Sequence, residues 1–357
     1  MQDLLCFSHL DWNFVYQRPQ HLLSRFAKNY KIYYFEEPKE ADRDWLESET
    51  NGQINIIKTF VRDRKNYSLI QKMVNDFIKK NQITPSVLWY YTPMAMNFTG
   101  DLEAKVVVFD SMDELSAFRF APPELLEREA ELLRKADIVF TGGNSLYKAK
   151  KHRHHNIYSF PSSIEKEHFA KARKEGQDPE DQRHIDFPRL GFYGVLDERF
   201  NTDLLCEAAA KRPDWNFIII GPVVKIAFED LPKADNIFYL QSKSYSELPE
   251  YIRHWDIAMN MFALNEATRF ISPTKTPEYL SAGLPVISTS IEDVVKPYGE
   301  MNLVEIADDA EVFVQKAEKL LNGFDRSTWL QNVDDFLSDK SWDNTHREMQ
   351  ALINNLN

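Results

Sequence analysis

The chain has two cysteines in 357 residues, Cys6 and Cys206, both in apolar surroundings. A disulfide framework needs more than that, so the expected compartment is reducing and stability must come from buried apolar surface. No apolar run is long enough to span a bilayer, and no stretch reads as a signal peptide. The expected place is therefore the cytoplasm. Positive charge is in deficit: 43 basic against 55 acidic residues give a net charge of −12, which argues against non-specific nucleic-acid binding. The phosphate-loop pattern Gly-x4-Gly-Lys-Ser/Thr is missing, which disfavours a P-loop hydrolase. The Gly-x-Gly-x-x-Gly fingerprint is missing too, which disfavours a nicotinamide dehydrogenase. Asp42-Arg43-Asp44 has the spacing of a metal–diphosphate site, but it stands in a poorly patterned charged stretch and reads as chance.

What is present is ordinary soluble-protein material: 43% hydrophobic and 27% charged residues, with 24 Phe and 15 Tyr to fill cores or stack on sugars. A single core rarely grows beyond ~250–300 residues, so two domains are expected. Apolar runs such as Val106-Val107-Val108-Phe109-Asp110 read as buried parallel strands. They alternate with helical patterns, as at 67–80 and 124–135. Such βα series imply an α/β fold with doubly wound parallel sheets. The polar stretch 171–187 reads as a linker. It divides an N-terminal domain, 1–170, from a C-terminal one, 188–340, and a last helix within 341–357 is assigned to the first. Two such domains facing one another would leave a cleft for a ligand.

The richest run is Ser272-Pro273-Thr274-Lys275-Thr276-Pro277-Glu278. It reads as a loop entering a helix, with Gly283 at the C-terminal cap. Hydroxyls, a helix start and the charge of Lys275 suit an anion. Glu278, three residues on, shares that helical face and suits a diol. Gly194 follows a strand and permits close backbone approach, and Arg199 is within reach of a phosphate. Asn265, Glu266 and Arg269 lie in a polar loop just upstream. In the first half Arg18 and His21 open the helix after the first strand. Asp110 and Asp113 stand at a strand end, where chemistry or sugar binding is expected. The plainer alternatives are a helix cap, a strand-ending glycine and solvated loops. The cluster 148–155, Lys-Ala-Lys-Lys-His-Arg-His-His, suits contact with an anionic lipid surface or simply a solvated helix end.

Taken together, Gly194, Asp197-Glu198-Arg199, Gly221-Pro222, Trp255-Asp256 and the run from Ser272 to Val286 resemble glycosyltransferase family 4, the group 1 transferases of the two-domain GT-B fold. Gln17-Arg18-Pro19-Gln20-His21 and the stretch 110–118 look like a bacterial subgroup linked to cell-surface polysaccharide synthesis. The resemblance implies transfer of a sugar, with retention, from a nucleoside-diphosphate sugar such as a UDP- or GDP-sugar. The acceptor would be a hydroxyl of a glycan or lipid-linked molecule, reached at the inner face of the cell membrane. No metal or other cofactor is implied.

Carried over by position, Ser272 to Thr274 match the diphosphate-cradling loop. Lys275 and Arg199 match the basic residues beside it. Glu278 matches the second glutamate of the Glu-x7-Glu motif, the one expected to hold the ribose. The first glutamate is missing: Phe270 stands there, and Glu266 is the candidate replacement. Asp110 or Asp113 would take the place of the histidine expected near the reacting sugar. Two other readings stay open, a sugar-nucleotide epimerase of similar architecture and a non-catalytic sugar-nucleotide or glycan-binding protein.

Overall fold

A computed structural model describes residues 1–356 and divides them into two units, one formed by 1–161 with the segment from Trp342 onward, the other by Ser162–Ser341. Each is an α/β layer structure.

The first unit is built on β1 (Gln2–Phe7), β2 (Tyr30–Phe35), β3 (Lys39–Glu40), β4 (Trp45–Asn51), β5 (Ile54–Val61), β6 (Pro85–Tyr90), β7 (Val106–Ser111), β8 (Ile138–Thr141) and β9 (Ile157–Ser159). The sheet order is β3-β5-β2-β1-β6-β7-β8-β9, with β4 added antiparallel to β5 and the other pairs parallel. Side chains alternate across a strand, so β1 feeds two cores. Leu4 and Cys6 pack with Leu22, Leu23 and Phe26 of helix Arg18–Phe26 and with Trp342, Met349 and Ile353 of helix Trp342–Asn354. Leu5 and Phe7 pack on the other face with Ile70 and Val74 of helix Tyr67–Lys80 and with Leu132 and Leu133 of helix Leu125–Lys135. The stretch 36–64, unassignable by pattern, contains β3 and the hairpin β4–β5. It hides because β4 carries mostly exposed polar residues. Asp44 there accepts from the backbone and guanidinium of Arg62 at 2.8–3.0 Å, a structural role.

The second unit holds β10 (Arg189–Tyr193), β11 (Asn216–Ile220), β12 (Ile237–Leu240), β13 (Ile257–Asn260), β14 (Val286–Ser288) and β15 (Val304–Ile306), all parallel, in the order β12-β11-β10-β13-β14-β15. The chain winds outward from β10 one way and then from β13 the other. The β10–β13 boundary is therefore the reversal point, where open α/β sheets place ligands beyond the strand C-termini. One face is covered by helices Leu248–Ile252, Lys275–Ser281 and Arg326–Leu337, the other by Thr202–Lys211 and Ala310–Leu321. Helices 310–321 and 326–337 each bury one face. In the latter only Trp329, Val333 and Leu337 are buried.

The stretch 171–187 lies inside this unit, not between two. Gln182 is buried, accepts from the Trp255 indole at 2.9 Å and donates to the Tyr251 carbonyl at 3.1 Å. The buried Arg189 guanidinium holds Asp178 and the carbonyls of Gln182 and Ile185. A polar segment pinned by buried side-chain bonds looks like a linker when only its composition is read.

Candidate active site in the second unit

The site grows from the end of β10. Gly194 follows it with φ +150°, and Gly221 follows the neighbouring β11 with φ +144°. Both values favour glycine. A methyl group on Gly221 would overlap the Gly194 carbonyl oxygen, and one on Gly194 would overlap Cε of Lys275. The two strand ends are thus closed against each other, with the Gly194 amide donating to the Ile220 carbonyl at 2.8 Å. The lysine stem crosses bare backbone. Its ammonium also lies 5.8 Å from the Phe192 ring centre.

Helix Lys275–Ser281 is fixed on its inner side. Asn260, at the end of β13, donates to the Thr276 hydroxyl at 2.9 Å. The Tyr193 amide donates to the Tyr279 hydroxyl at 2.9 Å. The Tyr193 hydroxyl donates a short bond to Glu278. Glu278 is only 5% exposed. Burial pushes its carboxyl up to about 7 against the pull of the Tyr193 hydroxyl and Lys275, and Glu165 adds to the rise. Ser272 is tied to Ser162: its hydroxyl accepts from the Ser162 amide at 3.4 Å, and its carbonyl from the Ser162 hydroxyl at 2.6 Å. Thr274 sits half-buried at the cap position with no side-chain capping bond.

Arg199 is held by Asp197, which accepts from its Nε and Nη2 at 2.7–3.2 Å; the guanidinium stays 27% exposed. The loop before the helix is ordered by Asn265. Its side-chain oxygen accepts from the amides of Ala267 and Thr268 at 3.0 and 3.2 Å, and its amide group reaches the Glu198 carbonyl at 3.4 Å. Glu266 and Arg269 form an exposed pair at 3.6 Å. The Arg269 guanidinium lies 5.2 Å from the centre of the Phe270 ring. Gly194, Lys275 and Glu278 are therefore brought together around Tyr193. Arg199 and the 265–269 loop are arranged on the strand-end segments that follow β10 and β13.

The first unit treats its candidates differently. Asp110 has no exposed surface. It takes Nε and Nη2 of Arg18 at 2.9–3.1 Å, and Arg18 also donates to the Phe160 carbonyl at 2.7 Å. Burial raises the Asp110 pKa against the attraction of Arg18. His21 is buried, its ring stacked on Trp342 with centres 4.7 Å apart. Arg18, His21 and Asp110 thus form part of the folded interior, out of reach of a substrate in this structure. Asp113 is half-buried nearby. The basic cluster is also partly consumed. Lys150 is buried between Glu114 and Glu129 at 2.8 and 2.5 Å, Arg153 pairs with Glu129, and the buried His154 ring lies 3.0 Å from the carbonyls of Ala136 and Asn156. Lys148, Lys151, His152, Arg153 and His155 remain exposed, Arg153 with its charge paired to Glu129. No helix among the described residues is long and apolar enough to cross a membrane.

Residue-pattern reasoning missed Tyr193, Tyr279, Asn260 and Glu165. Tyr193 adjoins Gly194 and carried a positional signal. Glu165 lies more than 100 residues from Glu278 in sequence, and only folding brings its charge to bear.

Residues 187–323 match the family of glycosyl transferases group 1. A putative teichuronic acid biosynthesis glycosyltransferase of Bacillus subtilis is 21% identical over 279 residues, covering 73% of this chain and 70% of that protein. Among solved structures, sucrose-phosphate synthase of Thermosynechococcus elongatus superposes with a TM-score of 0.75 at 13% identity, over 100% of this chain and 99% of that one. An Escherichia coli trehalose-6-phosphate structure bound with UDP-2-fluoro glucose gives 0.71 at 11%, over 99% of each chain. WaaG, a glycosyltransferase involved in lipopolysaccharide biosynthesis, gives 0.68 at 14%, over 98% of this chain and 99% of that one. The fold is that of these GT-B structures.

Proposed function

Since residues 187–323 are a group 1 glycosyltransferase domain and the protein is a glycosyltransferase, we propose that it moves a sugar, with retention, from a UDP- or GDP-sugar to a hydroxyl of a glycan or lipid-linked acceptor in cell-surface polysaccharide synthesis. The observation that carries this reading is the stacking of Lys275 across Gly194 at the β10–β13 reversal point, with buried Glu278 one helical turn away. A fixed cation over bare backbone is suited to a diphosphate, and a buried carboxylate to a diol. The bound UDP-sugar analogue of the Escherichia coli structure, and the polysaccharide roles in the names of the Bacillus subtilis and WaaG proteins, support the choice of donor and acceptor class.

In the proposed reaction the bond from the anomeric carbon to the donor phosphate breaks, and a bond to the acceptor oxygen forms on the same face. The acceptor's proton passes to the departing phosphate. Negative charge grows on the nucleoside diphosphate, and Lys275 and Arg199 stabilise it in the role a metal ion has elsewhere. Ser272 and Thr274 line the approach to the phosphates. Glu278 receives the ribose hydroxyls, exchanging the Tyr193 hydroxyl for them or sharing it. Glu266 and Asn265 face the sugar in place of the carboxylate absent at Phe270. Arg269 is offered to the acceptor side.

Calorimetric titration with UDP-, GDP- and ADP-sugars, followed by product analysis with an acceptor panel, tests the proposal. One nucleotide should bind and yield a transferred sugar of retained configuration. An epimerised nucleotide sugar from donor alone, or binding without any turnover, would overturn it.

A further inference from the structure

A cavity of about 660 Å³ opens in the same unit, at the opposite end of its sheet. It lies by the residues that precede β13, Ile252 to His254, and those that precede β14, Ala282 to Leu284. The donor residues sit beyond the C-termini of those strands, so the two sites share a sheet but not an edge. The base is buried and largely apolar: Ile252, Ala282, Gly283 and Leu284. Arg173, Lys174, Arg253 and Arg326 stand around it, with Glu175 as the one acid of the lining.

In a chain of net charge −12 this concentration of cations needs a cause. Part of it is local. Arg173 donates to the Ser281 carbonyl at 2.7 Å, and Arg326 to the Gly283 carbonyl at 2.6 Å. Both thereby complement the C-terminal end of helix Lys275–Ser281. Arg173 also pairs with Asp334 at 2.7 Å. Helix capping does not account for Lys174, which is exposed, or for Arg253. The Arg253 guanidinium crosses Gly176 so closely that a methyl group there would overlap it. It donates to the Lys171 carbonyl at 3.2 Å. Its Nε and the Nε2 of His254 are buried with no hydrogen-bond partner among the described residues. Arg326 is held below its ordinary pKa by desolvation and by the charge of Arg173, with Asp256 acting the other way. Four cations lining one cavity against a single acid describe a site complementary to a multivalent anion.

We propose that this cavity is a second anion site, built for a phosphate or diphosphate ester and separate from the donor site. Its volume is in the range of small-ligand pockets. A soluble phosphate ester and an anionic lipid headgroup share the chemistry it would recognise. The proposal does not rest on glycosyl transfer.

The test is calorimetric titration of the full chain with inorganic pyrophosphate in three forms: wild type, Lys275→Ala, and Lys174→Glu combined with Arg253→Gln. Co-sedimentation with phosphatidylcholine vesicles, with and without phosphatidylglycerol, forms a parallel arm. Pyrophosphate binding should survive Lys275→Ala and weaken by about tenfold or more in the cavity variant. Cavity-dependent binding to anionic vesicles alone would point to the headgroup as the source. The exposed Lys174→Glu single variant provides the reading if the double variant fails to fold. Loss of all binding in Lys275→Ala, or cavity variants that bind both probes like wild type, would overturn the proposal.

Discussion

Asp110 and Glu278 are both buried carboxylates near the C-terminal edge of a parallel sheet, and burial raises the pKa of both. Their neighbours divide them. Asp110 faces a buried arginine that meets it with two nitrogens and also donates to the Phe160 carbonyl. Glu278 faces a tyrosine hydroxyl, with Lys275 close enough to lower its pKa. An ion pair is complete in itself; removing one member strands a charge. A carboxylate bonded to one neutral hydroxyl keeps acceptor capacity, since each oxygen can take more than one donor. Asp110, on strand β7, is therefore a structural lock, while Glu278, on the helix after β13, keeps the acceptor capacity that its proposed binding role needs.

The largest effect expected from breaking this contrast is on stability in the first unit. Asp110→Ala leaves Arg18 buried and unpaired, and should lower unfolding stability by about 3–5 kcal/mol in urea titration. A variant of unchanged stability that loses transfer would instead make Asp110 a chemical group. In the second unit Lys275→Ala should leave the midpoint of unfolding nearly unchanged and reduce kcat/KM by roughly 10²–10³-fold, the size seen on losing a positioned charge-stabilising donor. Gly194→Ala lies between the two kinds of effect. It must adopt φ +150° and collide with Lys275. About 1–3 kcal/mol of stability should be lost together with donor affinity, measured by denaturation and calorimetry.

Glu278 gives a pH-dependent test. Its folded pKa of about 7 lies above the ordinary glutamate value. The folded state therefore holds the proton that the unfolded chain has released. The stabilising share is full below the unfolded pKa and is lost as pH rises through about 7. Glu278→Gln should thus gain stability relative to wild type at pH 8, on the order of 1–3 kcal/mol, and the gain should vanish near pH 4. An equal difference at both pH values would contradict a raised pKa. The smallest effect belongs to Glu266, whose side chain is 76% exposed. Glu266→Ala should change stability by less than about 0.5 kcal/mol. Its effect on kcat decides whether this loop carboxylate replaces the one absent at Phe270.

Much of the second unit was legible because its signals are local. Gly194 stands directly after an apolar strand. Lys275 and Glu278 are three residues apart on one helix, and all six strands are short apolar runs. The first unit misled because location at a strand end does not distinguish an accessible group from a sealed one. Nothing near Asp110 in sequence announces Arg18, which is 92 residues away. The partner of Lys150 and Arg153 in the cluster 148–155 was hidden for the same reason: Glu129 lies on another helix. The stretch 171–187 reads as polar and loose, yet Gln182 and Asp178 bond to groups that appear only when Trp255 and Arg189 are in place.

The sequence by itself determined the alternation of strands and helices, the α/β class and the spacing of Lys275 and Glu278 on one helix, since these depend on periodicity and on residues within a few positions of one another. The tertiary structure decided which charges are available. Burial sets the cost of an ion and the partner sets whether that cost is offset, and both depend on contacts between residues far apart in the chain. That is why Arg18 and Asp110 became interior, Glu278 acquired a pKa of about 7, and the cations of Arg173, Arg253 and Arg326 were drawn into one cavity.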